Sequence, residues 1–260
     1  MTLAIWRKPS NSQLSLWKSL NKARARLEEG LLLAEGFKVV TELMRSPWQV
    51  RALLVLEEKK AQWDTFLASL QDNMEVYSLT AHEWKKLSQD KKPEGIMAVA
   101  APDCIRDVTF LPDTGHILLA YRINNPNNLG ALARTAHWFG FGALPLSSDS
   151  VDFTNPKAIR ASMGSLFHLR LIPDVDFTAA LPHLKERYFL VAGHTRKGVL
   201  PHPCSRRTAL LLGSESHGLP DSLMEWTDEM WSIPGAGEAE SLSLPQAAAI
   251  MMYETARKAP

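Results

Sequence analysis

Asn124-Asn125-Pro126-Asn127-Asn128-Leu129-Gly130-Ala131-Leu132-Ala133-Arg134-Thr135-Ala136 follows the apolar stretch Ile117 to Ile123. The apolar stretch reads as a buried strand, the Asn- and Pro-rich run as a turn, and Leu129 to Trp138 as a helix. An asparagine caps that helix, and Gly130 lets a backbone or ligand come close. A helix N-terminus in this setting attracts phosphate. Arg134 lies about one helical turn beyond Gly130, so the two share a face. Taken alone, the run also fits a capped helix whose arginine makes a surface ion pair.

Downstream, strands and helices alternate. Ala143 to Leu146 reads as a strand, Asn155-Pro156-Lys157 opens a helix, Leu169 to Ile172 is extended and Phe177 to Tyr188 is helical. Phe189 to Ala192, Ala209 to Leu212 and Trp231 to Ile233 are further strands, and Pro245 to Lys258 is a closing helix. This alternation implies a parallel sheet covered on both faces.

Upstream, Leu31 to Ala34, Val50 to Leu56, Met74 to Leu79 and Ile96 to Val99 read as strands. Helices over Phe37 to Met44, Ala61 to Leu70 and Glu83 to Leu87 separate them into a smaller α/β module. Residues 1–30 are polar and basic. After a loose start, Leu14, Trp17, Leu20 and Leu27 fall at helical spacing and predict one short amphipathic helix. The stretch 102–115, with Pro102, Asp103, Pro112, Asp113 and Gly115, reads as a linker. The expected organisation is therefore 1–101, a linker over 102–115, and a second domain over 116–260.

The net charge of +1 gives no strong sign of a polyanionic partner. Residues 1–100 hold 15 Lys+Arg against 12 Asp+Glu, so any general RNA affinity belongs to that half. Cys104 and Cys204 are the only cysteines and have no metal-ligand spacing. No metal is expected, and two ordinary thiols in a reduced, cytoplasmic setting are. The sequence shows neither a signal peptide nor an apolar run long enough to span a membrane. A G-x-G-x-x-G fingerprint is missing, which speaks against a nicotinamide enzyme.

Two further motifs follow in order. Gly213-Ser214-Glu215-Ser216-His217-Gly218-Leu219 comes after the apolar Ala209-Leu210-Leu211-Leu212, where a parallel strand ends and a ligand crevice opens. Ile233-Pro234-Gly235 then leads to Ser241-Leu242-Ser243-Leu244 and the last helix. Together with the first run, these motifs resemble the SpoU/TrmH branch of the SPOUT RNA 2′-O-ribose methyltransferases. The resemblance runs from about Gly115 to Thr255, and more weakly back to about Leu31.

The resemblance implies a deep trefoil knot in the C-terminal domain and an N-terminal substrate-binding domain similar to ribosomal protein L30e. It implies methyl transfer from S-adenosyl-L-methionine to a ribose 2′-hydroxyl of tRNA or rRNA by a homodimer, with neither DNA nor a membrane as partner. By motif position, Arg134, Asn128, Ser241, Ser243 and Glu215 match catalytic residues. Gly213, Leu212, Ile233, Leu242 and Leu244 match cofactor-binding ones. Lys157 and Arg160 meet the RNA backbone or form a solvated helix face. Glu215 binds the ligand, anchors its loop, or does both, and His217 is a loop residue. Because a guanidinium stays protonated, Arg134 is expected to stabilise the forming alkoxide. Ser241 and Ser243 would orient Arg134 or a phosphate, and Asn128 the loop or the ribose.

One departure stands out: relatives usually carry asparagine where this chain has Ser243. The shorter serine hydroxyl makes a catalytically weak or inactive RNA-binding homologue the alternative. A small-molecule methyltransferase on the same scaffold is a second alternative.

Overall fold

The computed structural model describes residues 6–70, 74–111 and 115–258. The loose start at residues 1–5 and Pro112-Asp113-Thr114 of the expected linker lie outside the described residues. In chain order the elements of the N-terminal part are β1 (Trp6–Arg7), α1 (Asn11–Ser19), α2 (Ala23–Glu29), β2 (Leu32–Glu35), α3 (Phe37–Met44), β3 (Gln49–Leu56), α4 (Lys60–Ala68), β4 (Val76–Leu79), α5 (Ala81–Leu87) and β5 (Ile96–Ala101). Then come β6 (Ile117–Ala120), α6 (Pro126–Trp138), β7 (Ala143–Ser147), α7 (Pro156–Ser162), β8 (Arg170–Val175), α8 (Phe177–Lys185), β9 (Phe189–Gly193), β10 (Thr208–Leu212), α9 (Asp221–Met224), β11 (Glu229–Trp231) and α10 (Leu244–Ala256).

These elements form two compact units: residues 1–103 with 154–167, and residues 104–153 with 168–260. The first contains a mixed sheet of order β1-β4-β3-β5-β2, in which β5 runs antiparallel to β2 and β3. Two helices replace the single expected N-terminal one, with a break at residues 20–22. Within α2 the expected apolar residue is the wrong one. Leu27 is 81% exposed while Arg26 is buried. A buried guanidinium needs partners, and Arg26 donates from Nε to Thr154 Oγ1 at 3.0 Å and from Nη1 to the Leu20 carbonyl at 3.0 Å.

The segment carrying α7 packs with this first unit, which interrupts the second domain expected over 116–260. Besides Arg26–Thr154, Arg160 pairs with Glu35 at 3.2 Å and the rings of Trp48 and Phe167 lie 4.8 Å apart. These partners are distant in sequence, and periodicity does not register them.

The second unit contains a six-stranded sheet of order β11-β9-β10-β6-β7-β8, parallel throughout. The expected linker is in large part structure of this unit. Cys104 bridges Leu171, Ile105 N–H donates to the Leu171 carbonyl at 2.9 Å, and Val108 and Leu111 are buried in its core. Pro, Asp and Gly there mark irregular backbone, while the apolar residues between them still find a core. In α6, Leu129, Leu132, Ala133 and Ala136 are fully buried at the i, i+3, i+4, i+7 spacing of a core-facing stripe. Each of its buried leucines contributes roughly 1.5–3 kcal/mol relative to exposure. Among the described residues no helix is long and apolar enough to cross a membrane.

Candidate active site

A cleft of about 820 Å³ opens at the carboxyl end of β10, in the second unit. Its walls are the end of β9, the loop 213–219, the segment from Ile233 to Ser243, and the first turns of α10. Eight residues singled out from the sequence come together here: Leu212, Gly213, Glu215, Ile233, Ser241, Leu242, Ser243 and Leu244.

The loop after β10 is tightly closed. Gly218 N–H donates to the Ser214 carbonyl at 2.9 Å, and Ser214 Oγ accepts from His217 N–H at 3.2 Å. A Cβ on Gly213 would lie 2.2 Å from the Gly218 carbonyl oxygen, so no other residue fits without moving backbone. His217 is exposed on this loop.

Glu215 Oε1 accepts the Leu244 N–H at 3.0 Å. Leu244 is the first residue of α10, and its N–H is one of the donors a helix leaves without an internal partner. A carboxylate at that end is also favoured by the helix dipole. Glu215 therefore ties the loop after β10 to the third motif. Ser243 is the N-cap of α10, with its N–H 3.4 Å from Gln246 Oε1.

Arg134 and Asn128 do not line the cleft. Asn128 is half-buried in the first turn of α6, and the cap is Asn125, whose Oδ1 accepts from Asn127 N–H at 2.9 Å. Arg134 is exposed on α6, one turn before Trp138, which is 82% exposed. The helix it sits on packs against α10, where Ile250 and Tyr253 are also exposed. Lys157 and Arg160 belong to the first unit; Lys157 is exposed, while Arg160 pairs with Glu35 at 3.2 Å and Asp90 at 3.7 Å.

Sequence reading missed Gly193, His194, Thr195 and Met251, which also line the cleft. A Cβ on Gly193 would meet Leu212 Cδ2 at 2.5 Å. A glycine ending an apolar strand was the available signal. Beyond it, residues 194–204 run along β11: His194 N–H donates to the Trp231 carbonyl and Val199 N–H to the Met230 carbonyl, each at 2.9 Å. The far end is held by His202, whose Nδ1 lies 3.2 Å from the Pro203 carbonyl and Nε2 2.9 Å from Glu229 Oε2. The Pro203 carbonyl first, then the Glu229 carboxylate, raise the His202 pKa above its ordinary value, with burial opposing. Trp231 Nε1 donates to the same Glu229 oxygen at 2.9 Å.

Residues 115–253 match the SpoU rRNA Methylase family, and residues 11–98 match the MRM3-like substrate binding domain. The chain belongs to the SpoU rRNA methylase family. Among relatives of this SpoU-family chain, the "23S rRNA (guanosine(2553)-2'-O)-methyltransferase RlmP" of Bacillus subtilis is 30% identical over 94% of this chain and 95% of its own. A solved structure of an RNA 2′-O ribose methyltransferase superposes with a TM-score of 0.80 at 25% identity, covering 96% of this chain and 97% of the other. The SpoU methyltransferase AviRb from Streptomyces viridochromogenes, solved in complex with AdoMet, shares the fold with a TM-score of 0.81. It is 24% identical, covering 94% of this chain and 97% of its own.

Proposed function

We propose that this SpoU-family chain transfers the methyl group of S-adenosylmethionine to a ribose 2′-hydroxyl of ribosomal RNA. The cleft at the end of β10 carries the proposal, because it unites the second and third motifs around an open volume of about 820 Å³. The residues present fit the methyl donor. Leu212, Ile233, Leu244 and Met251 offer apolar contact, and Gly235 and Gly237 leave open space beside their backbones. Glu215 sets the loop that connects the two walls. When bound, S-adenosylmethionine supplies a methyl on a cationic sulfur whose departure needs no acid.

The 2′-hydroxyl proton passes to water and the sulfur leaves as a neutral thioether, so what is left to the protein is alignment of the hydroxyl and stabilisation of the alkoxide that develops on it. A fixed guanidinium meets the second need, and Arg134 is our candidate. Since Arg134 does not line its own chain's cleft and shares a face with exposed Trp138, we place it in the cleft of a second copy. Trp138, Ile250 and Tyr253 would then be covered in a homodimer. Asn128, in the first turn of α6, would orient the ribose, and Ser241 and Ser243 a phosphate beside it. Lys157 would meet the RNA backbone. The trefoil knot and a cytoplasmic site of action belong to the same reading. The B. subtilis relative, named for 23S rRNA and matched over nearly the whole chain, favours rRNA over tRNA.

Tritiated S-adenosylmethionine incubated with the chain and undermodified rRNA and tRNA provides the test. Label should enter rRNA and be released by ribonuclease. Label in a small-molecule fraction, or none at all, contradicts the proposal.

A further inference from the structure

A second cleft, of about 300 Å³, opens at the carboxyl ends of β6, β7 and β8, in the same unit. That volume is at the lower end for sites that hold small molecules, and the carboxyl edge of a parallel sheet is where such sites form. Its lining includes Tyr121, Ser147, Asp149, Asp176, Phe177 and Pro220. The two clefts share a wall. Tyr121 N–H donates to the carbonyl of Leu212 at 2.8 Å, and Leu212 lines the larger cleft. Leu219 faces the larger cleft and Pro220 the smaller.

Beside the smaller cleft, the backbone that follows Tyr121 is held in a costly shape. Arg122 has φ +53°, a left-handed conformation that a long side chain rarely adopts. Several bonds fix it: its N–H donates to Ser147 Oγ at 2.8 Å, and its Nε lies 3.3 Å from Asp149 Oδ2. The next residue, Ile123, donates its N–H to Ser150 Oγ at 3.2 Å and accepts the Val151 N–H at 2.8 Å. Such retained strain is characteristic of ligand clamps.

The two carboxylates of the lining, Asp149 and Asp176, disfavour an anion and favour a base with N–H donors. Two carboxylates repel phosphate. Each uses one oxygen within the protein, Asp149 Oδ2 on Arg122 and Asp176 Oδ1 on Thr178 N–H at 2.9 Å, and each has a second oxygen to accept with. The Tyr121 ring, half-buried and 6.2 Å from Phe177, offers an aromatic surface on which a base can stack.

We propose that this second cleft receives the base of the nucleotide whose ribose is methylated, and that its carboxylates select guanine. Guanine alone among the four bases presents two adjacent N–H donors, on N1 and the 2-amino group, to one carboxylate, whose engaged oxygen keeps a second lone pair to accept with. Bases displaced from a stack are read in this way, by edge hydrogen bonds and aromatic contact. The inference rests on the ribose-methylation reading above, from which the test separates it.

The full-length chain, saturated with S-adenosylhomocysteine and carrying 13C-labelled tyrosine rings, is titrated with guanosine or uridine 5′-monophosphate. Tyr121→Phe assigns the Tyr121 signal and keeps the ring. Guanosine monophosphate should shift that signal and bind roughly 10-fold more tightly than uridine monophosphate. Asp149→Asn combined with Asp176→Asn should remove the preference, with calorimetric affinity for S-adenosylmethionine unchanged. Asparagine retains the N-cap at position 176, so the helix should survive the change. Equal affinities, or an unmoved Tyr121 signal, overturn the inference. A guanine preference without any RNA methylation supports this cleft and rejects the methylation reading, whereas methylation without the preference rejects this cleft alone.

Discussion

At the scale of single residues, the cleft depends on contacts that leave little latitude. Gly213→Ala should destabilise the chain by about 1–3 kcal/mol, because the added methyl meets backbone at 2.2 Å. Chemical denaturation reads the stability, and calorimetry should show S-adenosylmethionine affinity lost with it. Arg134→Ala should lower turnover by roughly 100-fold or more while cofactor affinity stays the same, because an alkoxide-stabilising group acts only in the transition state. Unchanged single-turnover rates would remove Arg134 from the chemistry. His202 adds a pH dependence to the strap along β11. Its pKa is raised in the folded chain, so its stabilising effect is fully present below the unfolded value and fades as pH rises through the folded one. The Tm difference between the wild type and His202→Gln should therefore be largest below about pH 6.5 and shrink above it. A gap that widens with pH contradicts the role of the His202–Glu229 contact.

At the scale of elements, local chemistry made the strands and helices readable. Asn125-Pro126 and Asn155-Pro156 each place an asparagine cap before a proline in the first turn, and both helices start there. Asn125→Ala should cost about 1 kcal/mol in thermal denaturation. The helix over Phe37–Met44 has the bounds expected for it, as a run between a glycine and a turn. Other features were hidden because they depend on distant partners. Arg26 is buried through Thr154 and the Leu20 carbonyl, so a charged residue takes the place that hydrophobic spacing gave to Leu27. The two-residue strand Trp6–Arg7 pairs with Val76 and Tyr77, and two residues carry no period. The site was legible where it consists of consecutive motif residues, from Gly213 to Glu215 and from Ser241 to Leu244. Gly193, His194 and Thr195 join it because parallel pairing sets β9 beside β10, and Met251 joins it from α10.

At the scale of the whole molecule, Arg134 does not line the cleft of its own chain, and the proposal places it in the cleft of a second copy. Trp138→Glu should convert a dimer to a monomer in analytical ultracentrifugation and abolish transfer, since a buried charge without a partner disfavours association. A monomeric wild type with full activity would refute that arrangement. The proposed chemical outcome is a methyl on a ribose oxygen. Mass spectrometry of nucleosides from rRNA methylated by this chain tests it most directly. The account predicts label in a 2′-O-methylnucleoside, lost with Arg134→Ala; label on a base contradicts it.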